Sequence, residues 1–204
     1  MDSSIIIFLF DSIPLWVTLL PILVCSVVLL AVFLERIVFY KSISLDFRSL
    51  LSGIKIEGGQ IKDLKLPEKK NNPLVEMLKN ISREWSNSYD KSSLVQNYSL
   101  KAVSPIEKYV SVVSTIATIS PMFGLLGTVT GMMRSFSGLA RYGPSVQTQL
   151  AQGITEALIT TAMGLVVAIP ALIFYNYMVA KVNYLVKEVE YLAAYFLKFD
   201  PNNN

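Results

Sequence analysis

The chain has 204 residues, of which 52% are hydrophobic and only 16% are charged, and its mean hydropathy is +0.48. This composition is typical of membrane proteins, and a net charge of +3 without an aromatic-basic cluster gives no indication of nucleic acid binding. The absence of histidine excludes histidine-dependent catalysis and histidine metal ligands, and the single Cys25 supports neither a disulfide framework nor a metal site. We therefore expect no enzyme, no metal and no cofactor.

The first predicted membrane helix occupies residues 13–38. Between Asp11 and Glu35 lie 23 uncharged residues, mostly Leu, Val and Ile, and a bilayer core needs about 20. Residues 1–12 contain two aspartates but no Lys or Arg, so they lack the basic start of a secretory signal. We interpret them as a short segment on the outer face of the membrane.

Residues 39–108 are predicted to form a cytoplasmic helical region. Residues 41–108 carry most of the charge in the chain, with 12 Lys and Arg and 8 Asp and Glu. Gly58-Gly59 and the polar run 67–73 indicate turns or loops. Apolar spacing predicts an amphipathic helix over 74–86 and a further helix over 92–103. Pro105 is expected either to begin the next helix or to bend a continuing one.

The second predicted membrane helix spans 109–138 and contains a seam of small residues. Between Lys108 and Arg134 lie 25 uncharged residues, among which small residues recur at steps of four and three. Such a seam lets another helix pack closely. Its members are Ala117, Pro121, Gly124, Thr128, Gly131 and Ser135, followed by Gly138, with the bulky Leu125, Val129, Met132 and Phe136 on its flank. The glycines lack the lysine of a phosphate-binding loop, so no nucleotide site is expected.

The third predicted membrane helix, 150–178, has one small, weakly polar face and one bulky apolar face. The small face contains Gly153, Glu156, Ala157, Thr160, Thr161, Gly164, Ala168 and Ala171. This pattern suits lipid, because the bulky face meets acyl chains while the small face packs against other helices. A carboxylate on the small face would point into the assembly. The spacing leaves open whether Glu156 binds a proton, an ion or a neighbouring helix, or pairs with Arg141.

The remaining segments complete the predicted topology. Residues 139–149 form a short polar loop, and residues 179–204 a C-terminal helix and tail with charged residues at intervals. Lys and Arg are concentrated in 41–108 and in the C-terminal segment, so the positive-inside rule places both in the cytoplasm. The N-terminus and the 139–149 loop are then expected on the periplasmic side.

Two of these segments resemble signatures of the MotA/TolQ/ExbB proton-channel family. Residues 121–136 (PMFGLLGTVTGMMRSF) are similar to the second-span signature of ExbB and TolQ proteins, and residues 153–171 (GITEALITTAMGLVVAIPA) to the third-span signature. The segment Leu34-Glu35-Arg36 is also similar to ExbB-type proteins. Flagellar MotA-type members have four spans, so three spans favour ExbB or TolQ and leave the choice between them open.

The resemblance implies an all-α membrane protein with three transmembrane helices and helical cytoplasmic extensions, assembled into a homo-oligomeric ring of five copies. ExbD/TolR-like single-span subunits would occupy the central pore, and a TonB/TolA-like protein is a further candidate partner. The implied function is a proton-channel or motor subunit of the bacterial inner membrane. Such a subunit uses the proton motive force to energise outer-membrane transport or envelope maintenance.

The resemblance also implies roles for single residues. The pore threonines of the family correspond to Thr128 and Thr161, and its third-span glutamate corresponds to Glu156. Thr160 shares the face of Glu156 and is added to the predicted proton path. The other small residues are predicted to form the helix-packing seam: Ala117, Pro121, Gly124, Gly131, Ser135, Gly153, Ala157, Gly164 and Ala168.

Three alternatives remain beside the proton channel. A small stripe is by default only a packing face, and intramembrane threonines commonly bond to a carbonyl one turn back in their own helix, so a passive membrane scaffold is one alternative. A Na⁺-driven motor subunit of the same family is another. A secondary transporter is disfavoured, because such proteins usually show internal repeats and none is visible here.

Overall fold

A computed structural model of the chain describes residues 16–57, 60–64, 72–85, 87–142 and 147–198. These residues form α1 (Trp16–Gly53), β1 (Ile54–Glu57), β2 (Gln60–Leu64), α2 (Pro73–Glu84), α3 (Lys91–Glu107), α4 (Val110–Tyr142) and α5 (Gln147–Leu197). The predicted outer segment 1–12, the Gly58-Gly59 turn and the centre of the predicted 139–149 loop lie outside the described residues. The helical architecture expected from the sequence is confirmed, with the hairpin as an addition.

Three helical stretches within the described residues are long and apolar enough to cross a membrane. They are Trp16–Ile43 in α1, Lys91–Gly138 across α3 and α4, and Leu150–Leu197 in α5. One proline lies inside each of α1, α4 and α5: Pro21, Pro121 and Pro170. Proline is tolerated inside membrane helices because neighbouring helices and hydroxyl side chains satisfy the backbone groups that it leaves unbonded.

The chain divides into two compact units. The apolar unit comprises the described parts of Met1–Phe33 and Ser111–Asn176, and the charged unit those of Leu34–Val110 and Tyr177–Asn204. All Lys and Arg of the chain except Arg134 and Arg141 fall within the sequence bounds of the charged unit. Helices α1 and α5 contribute residues to both units.

In the apolar unit, the first part of α1 packs against α4 and α5. A cluster of buried side chains joins the three helices, formed by Ile22, Cys25, Ile116, Val167 and Ala171. Nearby, the rings of Phe33 and Phe174 meet edge to face with their centroids 4.8 Å apart. The small residues of α4 and α5 face each other beyond this cluster, so the packed faces are the small ones.

In the charged unit, α2 is the amphipathic helix predicted over 74–86. It begins at Pro73, directly after Asn72, whose side chain accepts a hydrogen bond of 3.0 Å from the Leu74 amide. This is an N-cap, which satisfies one of the amides that a helix start leaves without a partner. The buried residues Leu74, Met77, Leu78 and Ile81 recur at helical spacing. They make α2 part of the core of this unit.

Helix α3 also starts on a capping side chain and ends beside Pro105. Asp90 accepts hydrogen bonds from the Ser93 amide at 3.0 Å and from the hydroxyls of Ser92 and Ser93 at 2.6 Å each. Pro105 lies in the last turn of α3, which ends at Glu107. Pro105 therefore does not begin the next helix: α3 continues past it, and the break comes later, at Lys108 and Tyr109. Whether Pro105 bends α3 stays a prediction.

The antiparallel hairpin of β1 and β2 was not foreseen from the sequence. Ile54 pairs with Leu64 and Glu57 with Gln60, with an irregularity in register between Lys55 and Ile56. The strands are short, and a two-stranded hairpin is marginally stable alone in water. The glycine pair between them indicated only a turn, because four or five residues are too few to show a clear alternation of apolar and polar positions.

Candidate functional site

The contact between α4 and α5 is close enough that several positions admit only glycine. A Cβ atom added at Gly164 would lie 2.6 Å from the Ser120 carbonyl oxygen, and one added at Gly127 would overlap the Thr160 side chain. Ser120 of α4 meets Gly164 of α5, and Gly127, further along α4, meets the earlier Thr160 of α5, so the two helices run antiparallel. Interfaces of this kind, built from small residues, let helix backbones approach in lipid.

Bulky residues cover the opposite sides of both helices. Exposed side chains include Leu125, Val129, Met132 and Phe136 of α4, and Ile154, Leu158, Ile159, Met163, Leu165, Val166, Ile169 and Ile173 of α5. The buried positions include Gly124, Gly131, Ser135, Ala157, Gly164 and Ala168, while Ala117, Pro121 and Gly153 are partly buried. The arrangement is the reverse of a soluble helix pair and fits a lipid surrounding.

Gly127 belongs to this contact although the sequence analysis left it out of the seam. It is buried beneath Thr160 and lies three residues after Gly124 and four before Gly131. The spacing of four residues to Gly131 was the signal that could have identified it, because residues four apart lie on one helix face.

Thr161 forms a hydrogen bond between the two helices. Its Oγ1 donates to the carbonyl oxygen of Gly124 at 3.0 Å, and its side chain is partly buried. Thr128 instead bonds within its own helix, because its Oγ1 donates to the Leu125 carbonyl at 2.7 Å. Thr161 therefore lies at the level of Gly124, about 6 Å or one helical turn along α4 from Thr128. In a single chain the two hydroxyls are staggered by one turn.

Thr160 is fully buried and contacts the Gly127 position, and its Oγ1 donates to the Ala157 carbonyl at 2.8 Å. Its side chain fills the contact between α4 and α5. This placement gives Thr160 the geometry of a packing residue, in contrast to the half-buried Thr128 and Thr161.

Glu156 lies beside Arg134, a partner that the sequence did not predict. Its Oε2 is 3.7 Å from Nη1 of Arg134, and its Oε1 accepts a hydrogen bond of 3.4 Å from Gln152. The two charged side chains are about one-third exposed. The sequence offered Arg141 as an alternative partner of Glu156, but the Arg141 side chain is not among those that the structure describes. The sequence carries no signal for this pair, which follows from the register of the two helices: Ser135 meets Gly153 one turn before Glu156.

A pocket of about 310 Å³ opens at this ion pair. Its lining consists of Arg134, Ser135, Gly138, Gln152, Gly153 and Glu156. Ser135 Oγ donates to the Gly131 carbonyl at 3.0 Å, so it is bonded within α4. The pocket thus holds both signs of charge at one end of an otherwise apolar helix contact.

Comparison with known proteins finds matches to one family. The profile described as the MotA/TolQ/ExbB proton channel family covers residues 70–191, more than half of the chain. The Tol-Pal system protein TolQ of Haemophilus influenzae is 41% identical over 41% of this chain and 36% of its own length. The biopolymer transport protein ExbB of Salmonella typhimurium is 52% identical over 31% of this chain and 26% of its own length.

A third relative is similar along more of its length. A putative biopolymer transport protein, ExbB-like 3, of Synechocystis sp. is 30% identical over 76% of this chain and 77% of its own length. The alignments cover only about a third or less of the length of the TolQ and ExbB proteins named above. The family profile and the long ExbB-like alignment together identify the chain as a membrane protein of the MotA/TolQ/ExbB proton channel family, in its ExbB/TolQ branch.

Proposed function

We propose that this protein is the proton-conducting motor subunit of an ExbB/TolQ-type complex in the bacterial inner membrane. The observation that carries the proposal is the pair of half-buried threonines, Thr128 and Thr161, on the small-residue contact of α4 and α5. Close packing is already met by the Gly and Ala residues that make up most of the seam, and Thr128 and Thr161 add two hydroxyls to it. The proton motive force would then energise outer-membrane transport or envelope maintenance.

The geometry suggests how these hydroxyls act. Thr128 donates its hydroxyl hydrogen to the Leu125 carbonyl, and Thr161 donates its own to the Gly124 carbonyl. The lone pairs of each hydroxyl oxygen therefore remain free to accept a hydrogen bond from another donor. Such oxygens suit hydrogen bonds to water or to a protonated carboxyl group. We propose that Thr128 and Thr161 accept hydrogen bonds from the carboxyl group of a partner helix and from water during proton transfer. Thr160, being fully buried, serves packing in this scheme.

The proposed assembly is a five-membered ring around ExbD/TolR-like single-span subunits, with a TonB/TolA-like protein as a further partner. The bulky exposed residues of α4 and α5 supply surface for neighbouring copies and for lipid. Native mass spectrometry of the complex in mild detergent should give five copies of this chain. A spectrum of monomers alone, under conditions that keep the protein folded, would contradict the ring.

The proposed orientation places the N-terminus outside, residues 39–108 and the C-terminus in the cytoplasm, and the 139–149 loop in the periplasm. In a Cys25→Ser background, Ser88→Cys should react with a membrane-impermeant maleimide only after the cells are opened. Ser145→Cys should react in cells with a permeable outer membrane and an intact inner membrane. Labelling of Ser88→Cys in cells with an intact inner membrane would contradict the proposed orientation and indicate the opposite one.

Proton flux tests the function directly. The chain is purified with the single-span subunit that accompanies it and reconstituted into vesicles that contain a pH-sensitive dye. A membrane potential, negative inside the vesicles, is then imposed. Acidification with choline as the only other external cation supports a proton channel. Flux that requires external Na⁺ favours the Na⁺-driven alternative, and no flux of either ion by a correctly assembled complex favours the scaffold.

A further inference from the structure

Arg36 is the most deeply buried charged side chain among those that the structure describes, at 2% exposed. It lies on α1 four residues before Tyr40 and seven before Ile43, both of them buried. Residues at this spacing occupy one face of a helix. A guanidinium on an apolar helix face is costly unless its hydrogen bonds are satisfied, so its partners indicate what it does.

The guanidinium is held by a neighbouring carboxylate and by one main-chain carbonyl. Nε and Nη2 of Arg36 lie 3.1 and 3.4 Å from the two carboxylate oxygens of Glu35. Nη1 donates to the carbonyl oxygen of Pro105 at 2.8 Å. Three aromatic rings lie around the cation, with centroids 4.7 Å away for Phe39, 5.9 Å for Tyr40 and 4.9 Å for Tyr109. These contacts replace the water that the charge has lost.

The carbonyl that Arg36 binds is at the end of α3. Because this helix ends at Glu107, its last four carbonyls have no amide partner within the helix. Tyr40 donates from its hydroxyl to the next carbonyl, that of Ile106, at 3.1 Å. Two side chains of α1, one turn apart, therefore bond two successive carbonyls at the C-terminus of α3. A cation there is also favoured by the negative end of the helix dipole.

The chain turns sharply immediately after these carbonyls. Lys108 has φ −52° and ψ 136°, Tyr109 has φ 69°, and α4 begins at Val110. The left-handed region disfavours residues with a Cβ atom, and such residues persist when the surrounding contacts hold them. The Tyr109 ring contacts two cations: the Arg36 guanidinium, and Lys108 Nζ, which lies 4.6 Å from the ring centroid. Arg36 thus touches both the end of α3 and the left-handed residue that follows.

We propose that Arg36 is a positioning residue that ends α3 and holds the Lys108–Tyr109 joint between α3 and α4, with Tyr40 in support. The planar fork of arginine is essential, because it bonds a carboxylate and a carbonyl in different directions at once. Lysine carries the same charge as a single ammonium group and lacks this fork. The joint connects α3, in the charged unit, to α4, the second membrane helix.

Hydrogen exchange tests this role without any assay of proton flow. The variants are Arg36→Gln, Arg36→Lys and Tyr40→Phe, and the matched control is Lys41→Gln, an exposed cation on the same helix. Amide exchange is measured by mass spectrometry on the intact complex. In Arg36→Gln, amides 106–108 in the last turn of α3 should exchange roughly tenfold faster or more, because local opening governs exchange there. Arg36→Lys should lie in between, and Tyr40→Phe should show a smaller increase.

A second substitution separates positioning from general stability. Glycine adopts the left-handed region without strain, so Tyr109→Gly should restore part of the lost protection when combined with Arg36→Gln. Proton-driven activity, where the proposed function holds, should follow the same order across the variants. If Arg36→Gln does not accumulate in the membrane, Arg36→Lys and Tyr40→Phe carry the comparison.

Two outcomes would overturn the proposal. One is exchange at 106–108 in Arg36→Gln and Arg36→Lys that is no faster than in Lys41→Gln. The other is a uniform rise across the whole charged unit, with no recovery in the Tyr109→Gly combination, which would leave Arg36 as an ordinary core residue. Failure of the proton-flux experiment alone would leave the exchange result, and with it the positioning role, unaffected.

Discussion

The hydroxyl of Thr161 donates a hydrogen bond to the main-chain carbonyl of Gly124, 37 residues earlier in the sequence, at 3.0 Å. This is a direct polar bond between α4 and α5 within the apolar unit. Glycine at 124 lets the two backbones come close enough, since a Cβ there would lie 3.1 Å from the Thr161 Cα atom. The bond fixes where the Thr161 oxygen points, and this makes the residue testable by a substitution that keeps its shape.

Valine at Thr161 should abolish proton flux while leaving the complex assembled. Valine nearly matches threonine in shape but has no hydroxyl. A hydrogen bond between membrane helices is worth about 0.6 kcal/mol on average, which is too little to dissociate helices with this much close contact. We expect Thr161→Val to remove flux in vesicles, and Thr128→Val to reduce it less. Copy number by native mass spectrometry should be unchanged in both.

Thr155→Val is the matched control, because Thr155 lies on α5 as well and is exposed, with its hydroxyl bonded to the Ala151 carbonyl at 2.8 Å. Flux in this variant should be close to that of the unmodified protein. Full flux in the Thr128→Val/Thr161→Val double variant at normal protein levels would leave both residues as packing groups.

The membrane helices followed from the sequence because their physical signal is strong. A bilayer requires a long uncharged run of any spanning helix, and a period of small residues marks the face on which such a helix packs closely against another. The short hairpin at 54–64 did not follow, because few residues define it. The end of α3 did not follow either, since Pro105 is compatible with several helix positions. The side chains that bond the last carbonyls of α3, Arg36 and Tyr40, come from another helix.

The candidate site was predictable in its residue types but not in its pairing. Thr128, Thr161 and Glu156 were named from the pattern and the resemblance, and the structure adds which partner each one has. Helical spacing gives the face of a helix and not its register against a neighbour. For this reason the Arg134 partner of Glu156 and the packing position of Thr160 required coordinates, whereas Gly127 could have been found from its spacing to Gly131.

Alanine at Gly127 should destabilise the contact of α4 and α5. The added methyl group would overlap the Thr160 side chain, and overpacking of this kind typically costs about 1–3 kcal/mol. The midpoint of thermal unfolding in detergent should fall, and Thr160→Ala should recover part of the loss in the double variant. Ala162→Val, which adds volume at an exposed position of α5, is the control. An unchanged midpoint in Gly127→Ala would mean that α4 and α5 lie further apart.

Asp90 should make the start of α3 sensitive to acid. Hydrogen bonds from the Ser92 and Ser93 side chains and from the Ser93 amide lower the pKa of Asp90 from 3.8 to about 2. Since the folded pKa lies below the unfolded one, the stabilising contribution is complete above about pH 4. It is lost as the pH falls towards 2. Amide exchange at 92–94, corrected for its intrinsic pH dependence, should lose protection across this interval in the unmodified protein.

Asp90→Asn tests the source of that acid sensitivity. Asparagine remains a good N-cap but does not titrate in this range, so protection at 92–94 should become independent of pH between 4 and 2. Asp90→Ala should lower protection at every pH, because it removes the acceptor. A pH response in Asp90→Asn equal to that of the unmodified protein would assign the response to another group.

Exchanging the charges of Arg134 and Glu156 should preserve what single substitutions destroy. The ion pair is 3.7 Å long and about one-third exposed, so in water it would contribute only about 0.2–1 kcal/mol. A charge left without its counter-charge in a membrane helix costs about 2.5–3.5 kcal/mol on insertion scales. Glu156→Ala and Arg134→Gln should therefore impair flux and lower the yield of assembled complex. Arg134→Glu combined with Glu156→Arg should restore assembly, because it returns a pair of opposite charges to the same pocket.

Proton flux in this double variant decides the role of the carboxylate. If flux recovers along with assembly, Glu156 acts through its pair with Arg134. Restored assembly without flux would instead show that the carboxylate must stand on α5, as a group that handles the proton itself.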